Sequence, residues 1–139
     1  MNGLPMGSGV GDLFDGEHTP FEAIGGEHAV RALVDAFYDD MDRDEDAATI
    51  RAMHVDLSQS RDKLFWFLCG WLGGPPMYVE RFGHPRLRMR HAHFKIDQAA
   101  RDAWMVCMGR AMDDRGIDGP LRAFLDARFD HLATFMINR

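Results

Sequence analysis

Four stretches of this chain carry apolar residues at helical spacing, and nowhere do apolar and polar residues alternate long enough to make a strand. In the first, Val30, Leu33, Val34, Phe37 and Met41 line one side, with Arg31, Asp35 and Asp39 on the other. In the second, Ser60, Leu64, Phe67 and Trp71 share a face that Phe65, Leu68 and Leu72 widen. Ala100, Ala103, Trp104, Cys107, Met108 and Ala111 point inward in the third. The last carries Leu121, Phe124, Leu125, Leu132, Phe135 and Met136. The pattern predicts an all-α domain of four principal helices with short extras.

The breaks between these stretches follow helix-end chemistry. Thr19-Pro20 offers a hydroxyl cap and a proline at the first helical position. Gly25-Gly26 interrupts before the first stripe, and Asp56 opens the second. Gly73-Gly74-Pro75-Pro76 must end that helix, because paired glycines and prolines cannot continue it. Met41 to Asp46 reads as a charged loop, Ala47 to Met53 as a short helix, and Met77 to Pro85 as a connector with one helical turn at most. Asp97 caps the third helix and Gly116 to Pro120 separates it from the last. Residues 1–18, with five glycines and little periodicity, read as a flexible leader; 19–139 is the folded domain.

Composition narrows the class. A chain of 139 residues builds one core, not two. A net charge of −6 argues against nucleic acid or an acidic membrane as partner. The longest stretch without a charged side chain, Leu64 to Val79, is 16 residues and is broken by the Gly-Gly-Pro-Pro run, so no membrane span is expected. Met1 to Gly11 lacks a basic start and an apolar run, and Cys69 and Cys107 match no zinc or redox spacing. The expected compartment is the cytoplasm. Ten Met, ten Phe and three Trp suit either a methionine-rich core or the lining of a slot for a planar ligand.

No serine or cysteine sits in a glycine-flanked elbow, and there is neither a phosphate-binding glycine loop nor an HExxH pair. The densest chemistry lies in Gly83-His84-Pro85-Arg86-Leu87-Arg88-Met89-Arg90-His91-Ala92-His93-Phe94, with Arg81 just before it. On a continuous helix His84 and His91 would stand roughly 10 Å apart, and His91 and His93 would point to different sides. Neither pair makes a zinc site. One histidine is enough for haem, where the porphyrin supplies the equatorial bonds and the imidazole one axial bond. An aromatic slot and cations for the propionates complete such a site.

Gly73-Gly74-Pro75, Tyr78, the run from Gly83 to His91, Phe94 and Arg101-Asp102-Ala103-Trp104 together resemble the group II truncated haemoglobins. The likeness covers Thr19 to Arg139. It implies a truncated globin, a two-over-two α-helical sandwich around haem b. His91 is then the proximal ligand to iron, and Tyr38 and Trp104 are distal donors to a diatomic ligand. Ser60, Leu64 and Phe67 would roof the pocket, with the short Ser60 hydroxyl leaving its entrance open. Arg90 and Tyr78 resemble the family's propionate partners, Lys63 is within reach of a propionate or solvated, and Phe94 belongs to the haem pocket.

Two departures stand out. At the corner where the family offers an aromatic hydrogen-bonding residue, this chain reads Ala52-Met53-His54-Val55. The register puts His54 there as a donor to the ligand or to Tyr38; a slip of one puts Met53 there. His93 replaces the family's usual proline and is a local competitor to His91 if the pocket is distorted. The resemblance implies binding of dioxygen, carbon monoxide, nitric oxide or peroxide. It extends to nitric oxide dioxygenase or peroxidase-like turnover served by a separate reductase, or else to an oxygen-storage or redox-sensing globin without turnover. A monomer or a homodimer is expected, with Phe124 or Phe129, read as exposed, at the dimer face.

Overall fold

A computed structural model describes residues 18–139. The expected leader, apart from His18, lies outside the described residues. Among the described residues every regular element is helical. They are α1 (Pro20–Ile24), α2 (Gly26–Arg43), a 3-10 turn (Glu45–Ala47), α3 (Ala48–Ala52), α4 (Leu57–Trp71), α5 (Met77–Phe82), α6 (Leu87–Arg90), α7 (Gln98–Asp114) and α8 (Gly119–Phe135).

The caps explain most of the boundaries. Thr19 and Glu22 form a reciprocal capping box on α1. Gly25, at φ 119°, ends α1 in the left-handed region that glycine enters without penalty, and α2 starts at the next residue. The side chains of Asp56 and Asp97 accept from the Gln59 and Ala100 amides and so start α4 and α7. The segment read as a loop from Met41 is helical through Arg43. Met41 continues the Val34–Phe37 stripe into the core, and burying it offsets the polarity of its neighbours. The connector after Pro76 holds a six-residue helix because Tyr78 is buried and anchors it.

α2 lies at the centre, packed against α4 on one side and α7 on the other, and α7 in turn packs on α8. Val30, Leu33, Val34 and Phe37 on α2 are wholly buried, as are Leu68 and Cys69 on α4, Cys107 and Met108 on α7, and Leu125 and Phe129 on α8. The expected exposure of Phe129 is therefore overturned: its ring stacks on Trp71 at 5.2 Å and meets Trp104 edge-on at 5.7 Å. Phe124 is half-buried, with Arg128 over its ring at 5.5 Å.

Ion pairs reinforce the same contacts. Arg31 to Asp62 (2.9 Å) and Arg61 to Asp35 and Asp39 (3.0 and 2.7 Å) tie α2 to α4. Arg122 to Asp113 (2.7 Å) and Arg101 to Asp130 tie α7 to α8. At the Gly-Gly-Pro-Pro corner the Phe21 amide donates to the Leu72 carbonyl at 2.8 Å, and the Phe21 ring rests on Gly74. A Cβ on Gly74 would fall 2.5 Å from that ring, so the corner needs glycine there for close approach.

Candidate functional site

Between the α3–α4 wall and the α6 segment the helices leave a cavity of about 490 Å³, adjoined by a second of about 150 Å³ that reaches α7 and α8. Met53, His54, Leu64, Phe67, Leu87 and His91 border both, so the two are chambers of one slot. The larger is within the size range of cofactor pockets.

The sequence-derived residues converge on it. Tyr38, Ser60, Lys63, Tyr78, Arg90 and Phe94 line the larger chamber, and Trp104 the smaller. Met53 and His54, the two register alternatives at the corner, both reach the slot, because the chain turns sharply after α3. His93 is exposed beside Phe94 and borders neither chamber. Sequence reasoning missed Ile50, Ile96, Ala100, Arg101, Leu132 and Met136, among others, at the back of the smaller chamber. The spacing of Leu132 and Met136 on α8 carried a signal for one wall; Ile96 carried none, since it stands in an irregular segment.

His91 closes α6, and its Nδ1 lies 2.7 Å from the Leu87 carbonyl. A carbonyl oxygen only accepts, so Nδ1 bears a proton, and the tautomer this selects has its lone pair at Nε2. Asn138, near the chain's end, holds the following segment. Its side chain donates to the His91 and Phe94 carbonyls (3.3 and 3.1 Å) and accepts from the Ile96 amide at 2.9 Å. The Asn138 amide donates back to the Ile96 carbonyl at 2.8 Å.

His54 is set in the same way: its Nδ1 lies 2.8 Å from the Ile50 carbonyl, and its ring meets Tyr38 edge-on at 5.4 Å. The neutral ring therefore accepts at Nε2 rather than donates, which changes the role expected of it. Burial, ahead of the charges of His91 and Arg51, holds its pKa below the ordinary histidine value and outweighs the opposing Ile50 bond. Burial raises the Tyr38 phenol well above its usual range, so the hydroxyl keeps its proton. Among the described residues no group hydrogen-bonds that hydroxyl or the Trp104 indole N–H. Phe37, 5.2 Å from the Trp104 ring and 4.9 Å from Tyr38, packs between them.

The slot is thus walled by Leu64, Phe67, Leu87 and Phe94, has two imidazoles with Nε2 to spare, and carries Lys63 and Arg90 at its rim. A flat apolar group with anionic substituents fits that set of donors and walls. Such a helical sandwich closed on a cofactor slot is the architecture of a globin.

Residues 19–138 match the family described as bacterial-like globin. The group 2 truncated hemoglobin YjbI of Bacillus subtilis is 41% identical over 123 residues, 88% of this chain and 90% of that protein. The structure of the cold-adapted truncated hemoglobin from the Antarctic marine bacterium Pseudoalteromonas haloplanktis superposes with a TM-score of 0.83 at 45% identity, covering 87% of this chain and 98% of that one. The group II 2-on-2 hemoglobin from Agrobacterium tumefaciens gives 0.82 at 48% identity over 86% and 94%. The chain belongs to the bacterial-like globin family. Its fold is the two-over-two helical sandwich and its cofactor is haem b. No helix among the described residues is long and apolar enough to cross a membrane.

Proposed function

We propose that this chain, by family a haem globin that binds oxygen, holds haem b through His91 and retains dioxygen through Tyr38 and Trp104. The reading rests above all on His91: its Nδ1 is committed to the Leu87 carbonyl, leaving Nε2 as the free nitrogen at the wall of the slot. Haem b, when bound, would supply an iron able to take up a diatomic gas. Leu64, Phe67 and Phe94 exclude water from its faces, while Lys63 and Arg90 are placed to pair with its propionates.

At the same slot Tyr38 offers a hydroxyl whose proton is not otherwise engaged, and Trp104 an N–H that can only donate. Both could donate to a diatomic ligand that gathers negative charge. Each such bond contributes about 2 kcal/mol, so the pair slows release by roughly three orders of magnitude. His54 packs edge-on against the Tyr38 ring at 5.4 Å and holds it in place. Ser60, with its short side chain, leaves the entrance open.

Slow release suits chemistry on the retained gas better than bulk delivery. Conversion of nitric oxide and dioxygen to nitrate takes up one electron per turn, which a separate reductase must supply; peroxide turnover is the companion reaction. The first test is spectroscopic. The purified protein is expected to be coloured, with a Soret band that shifts under carbon monoxide, is lost in His91→Gly and returns with free imidazole. An unaltered spectrum in His91→Gly would sink the ligand assignment. Turnover with nitric oxide and a reductant, lowered in Tyr38→Phe, separates the enzyme from a storage or redox-sensing globin, which binds oxygen and shows none.

A further inference from the structure

The cations of this acidic chain fall into two groups. Arg31, Arg43, Arg51, Arg61, Lys95, Arg101, Arg110 and Arg122 each have a carboxylate within ion-pair distance. Lys63, Arg81, Arg86, Arg88, Arg90, Arg115, Arg128 and Arg139 have none among the described residues, and all eight are exposed. Four of them fall in the ten residues from Arg81 to Arg90, where the sequence has no acid; Glu80 is the nearest carboxylate along the chain.

Three of these cations surround one aromatic cluster at the rim of the slot. Trp66, Tyr78 and Phe82 are in contact, with Phe82 5.9 Å from Trp66 and 4.9 Å from Tyr78. Arg81 lies over Trp66 at 4.4 Å, Arg90 over Tyr78 at 5.9 Å and Lys63 over Phe82 at 5.9 Å. Tyr78, Lys63 and Arg90 also line the larger chamber, which makes this face the border of the slot. At its centre Phe82 is 42% and Val79 50% exposed. An apolar centre ringed by cations without carboxylate partners, which outnumber the neighbouring Glu80, is the composition of a transient protein interface, where the charge steers and the centre sticks.

We propose that this face docks an acidic one-electron carrier protein, which delivers its electron to ferric haem at the adjoining slot. The inference rests on the haem reading above and adds the place and charge of the partner. Lys63 and Arg90 line the slot and are taken up by the propionates; Arg81, over Trp66, and Arg86 do not line it and remain for the partner, while Arg88 turns away to the Phe135 ring and the Ile137 carbonyl. In the step itself the carrier is oxidised by one electron and the iron is reduced from ferric to ferrous. No bond forms or breaks. A net charge of −6 repels an acidic protein overall, so the local concentration of cations at this face favours docking there.

The test uses the ferric holoprotein under carbon monoxide, with reduction followed by growth of the ferrous carbon monoxide spectrum. Two donors are compared: a reduced acidic ferredoxin, and dithionite as a small anion. The ferredoxin rate is expected to fall steeply with salt and to drop about tenfold in Arg81→Gln/Arg86→Gln, while the dithionite rate changes less than about twofold. Arg43→Gln/Arg115→Gln, which removes as much charge at the far ends of α2 and α7, should leave both rates unchanged. The proposal is overturned if the ferredoxin rate ignores salt, or if the two double variants behave alike. An equal fall with dithionite also overturns it, since the face would then be a general anion attractor. Failure of dithionite to yield the carbon monoxide spectrum at all would sink the haem reading itself; a normal spectrum with indifferent ferredoxin rates sinks the docking face alone.

Discussion

Nδ1 of His54 and Nδ1 of His91 each donate to a carbonyl four residues back, at 2.8 and 2.7 Å, so both imidazoles keep a lone pair at Nε2. Replacing the Tyr38 hydroxyl tests the side of the slot that retains the gas. Tyr38→Phe removes one charge-assisted bond and is expected to speed dioxygen release about thirtyfold, read by stopped-flow displacement with carbon monoxide. An unchanged rate would mean that the hydroxyl bonds elsewhere. His54 carries a pH dependence of defined sign. Burial keeps its folded pKa below the ordinary 6.5, so as pH falls through that value the unfolded chain takes up the proton first. The stability it contributes is present above pH 6.5 and is lost as pH falls toward the folded value. His54→Gln should therefore flatten the fall in melting temperature between about pH 7 and pH 5.5. An unchanged slope would show that the ring is already solvated.

The hydrogen bonds of Asn138 join the last residues of the chain to the segment that follows His91, and sequence periodicity is blind to them. Asn138→Ala leaves the buried Ile96 short of an amide partner and is expected to cost about 2 kcal/mol in denaturant unfolding and to speed haem loss to an acceptor globin. No change in either would mean that the 91–96 segment holds its shape unaided. Elements with a repeating apolar face were legible from the chain alone: the α2 stripe, the Asp56 and Asp97 starts and the Gly-Gly-Pro-Pro stop are local, and local rules governed them. The convergence of Tyr38, His54, His91 and Trp104 on one slot was reached through the Gly83–His91 and Arg101–Trp104 motifs, since spacing alone left His91 among several histidines. What stayed hidden depended on tertiary packing. Asp42 and Arg43 stay in α2 because Met41 packs into the core, Phe129 is covered because Trp71 stacks on it, and both Met53 and His54 reach the slot because the corner after α3 turns there.

Cys69 and Cys107 sit two and three residues beyond slot residues, Phe67 on α4 and Trp104 on α7, with α2 packed against both helices. Both thiols are fully buried. Burial, aided by the charge of Glu27, lifts Cys69 to about 11, and burial with Asp40 and Asp44 lifts Cys107 to about 12, so neither is a thiolate near neutral pH. A thiol reagent can reach them only when α4 or α7 leaves the core, and those motions dismantle the walls that Leu64, Phe67 and Trp104 provide. A cofactor that binds the closed state alone must suppress the open one by mass action. With free haem at one hundred times its Kd, labelling of both cysteines at pH 8 is therefore expected to slow about a hundredfold relative to the apoprotein, followed by mass spectrometry. The two cysteines should slow together if the helices open as one unit. Slowing of Cys107 alone would mean that α4 opens without releasing the cofactor, and equal rates with and without haem would detach the core from the slot altogether.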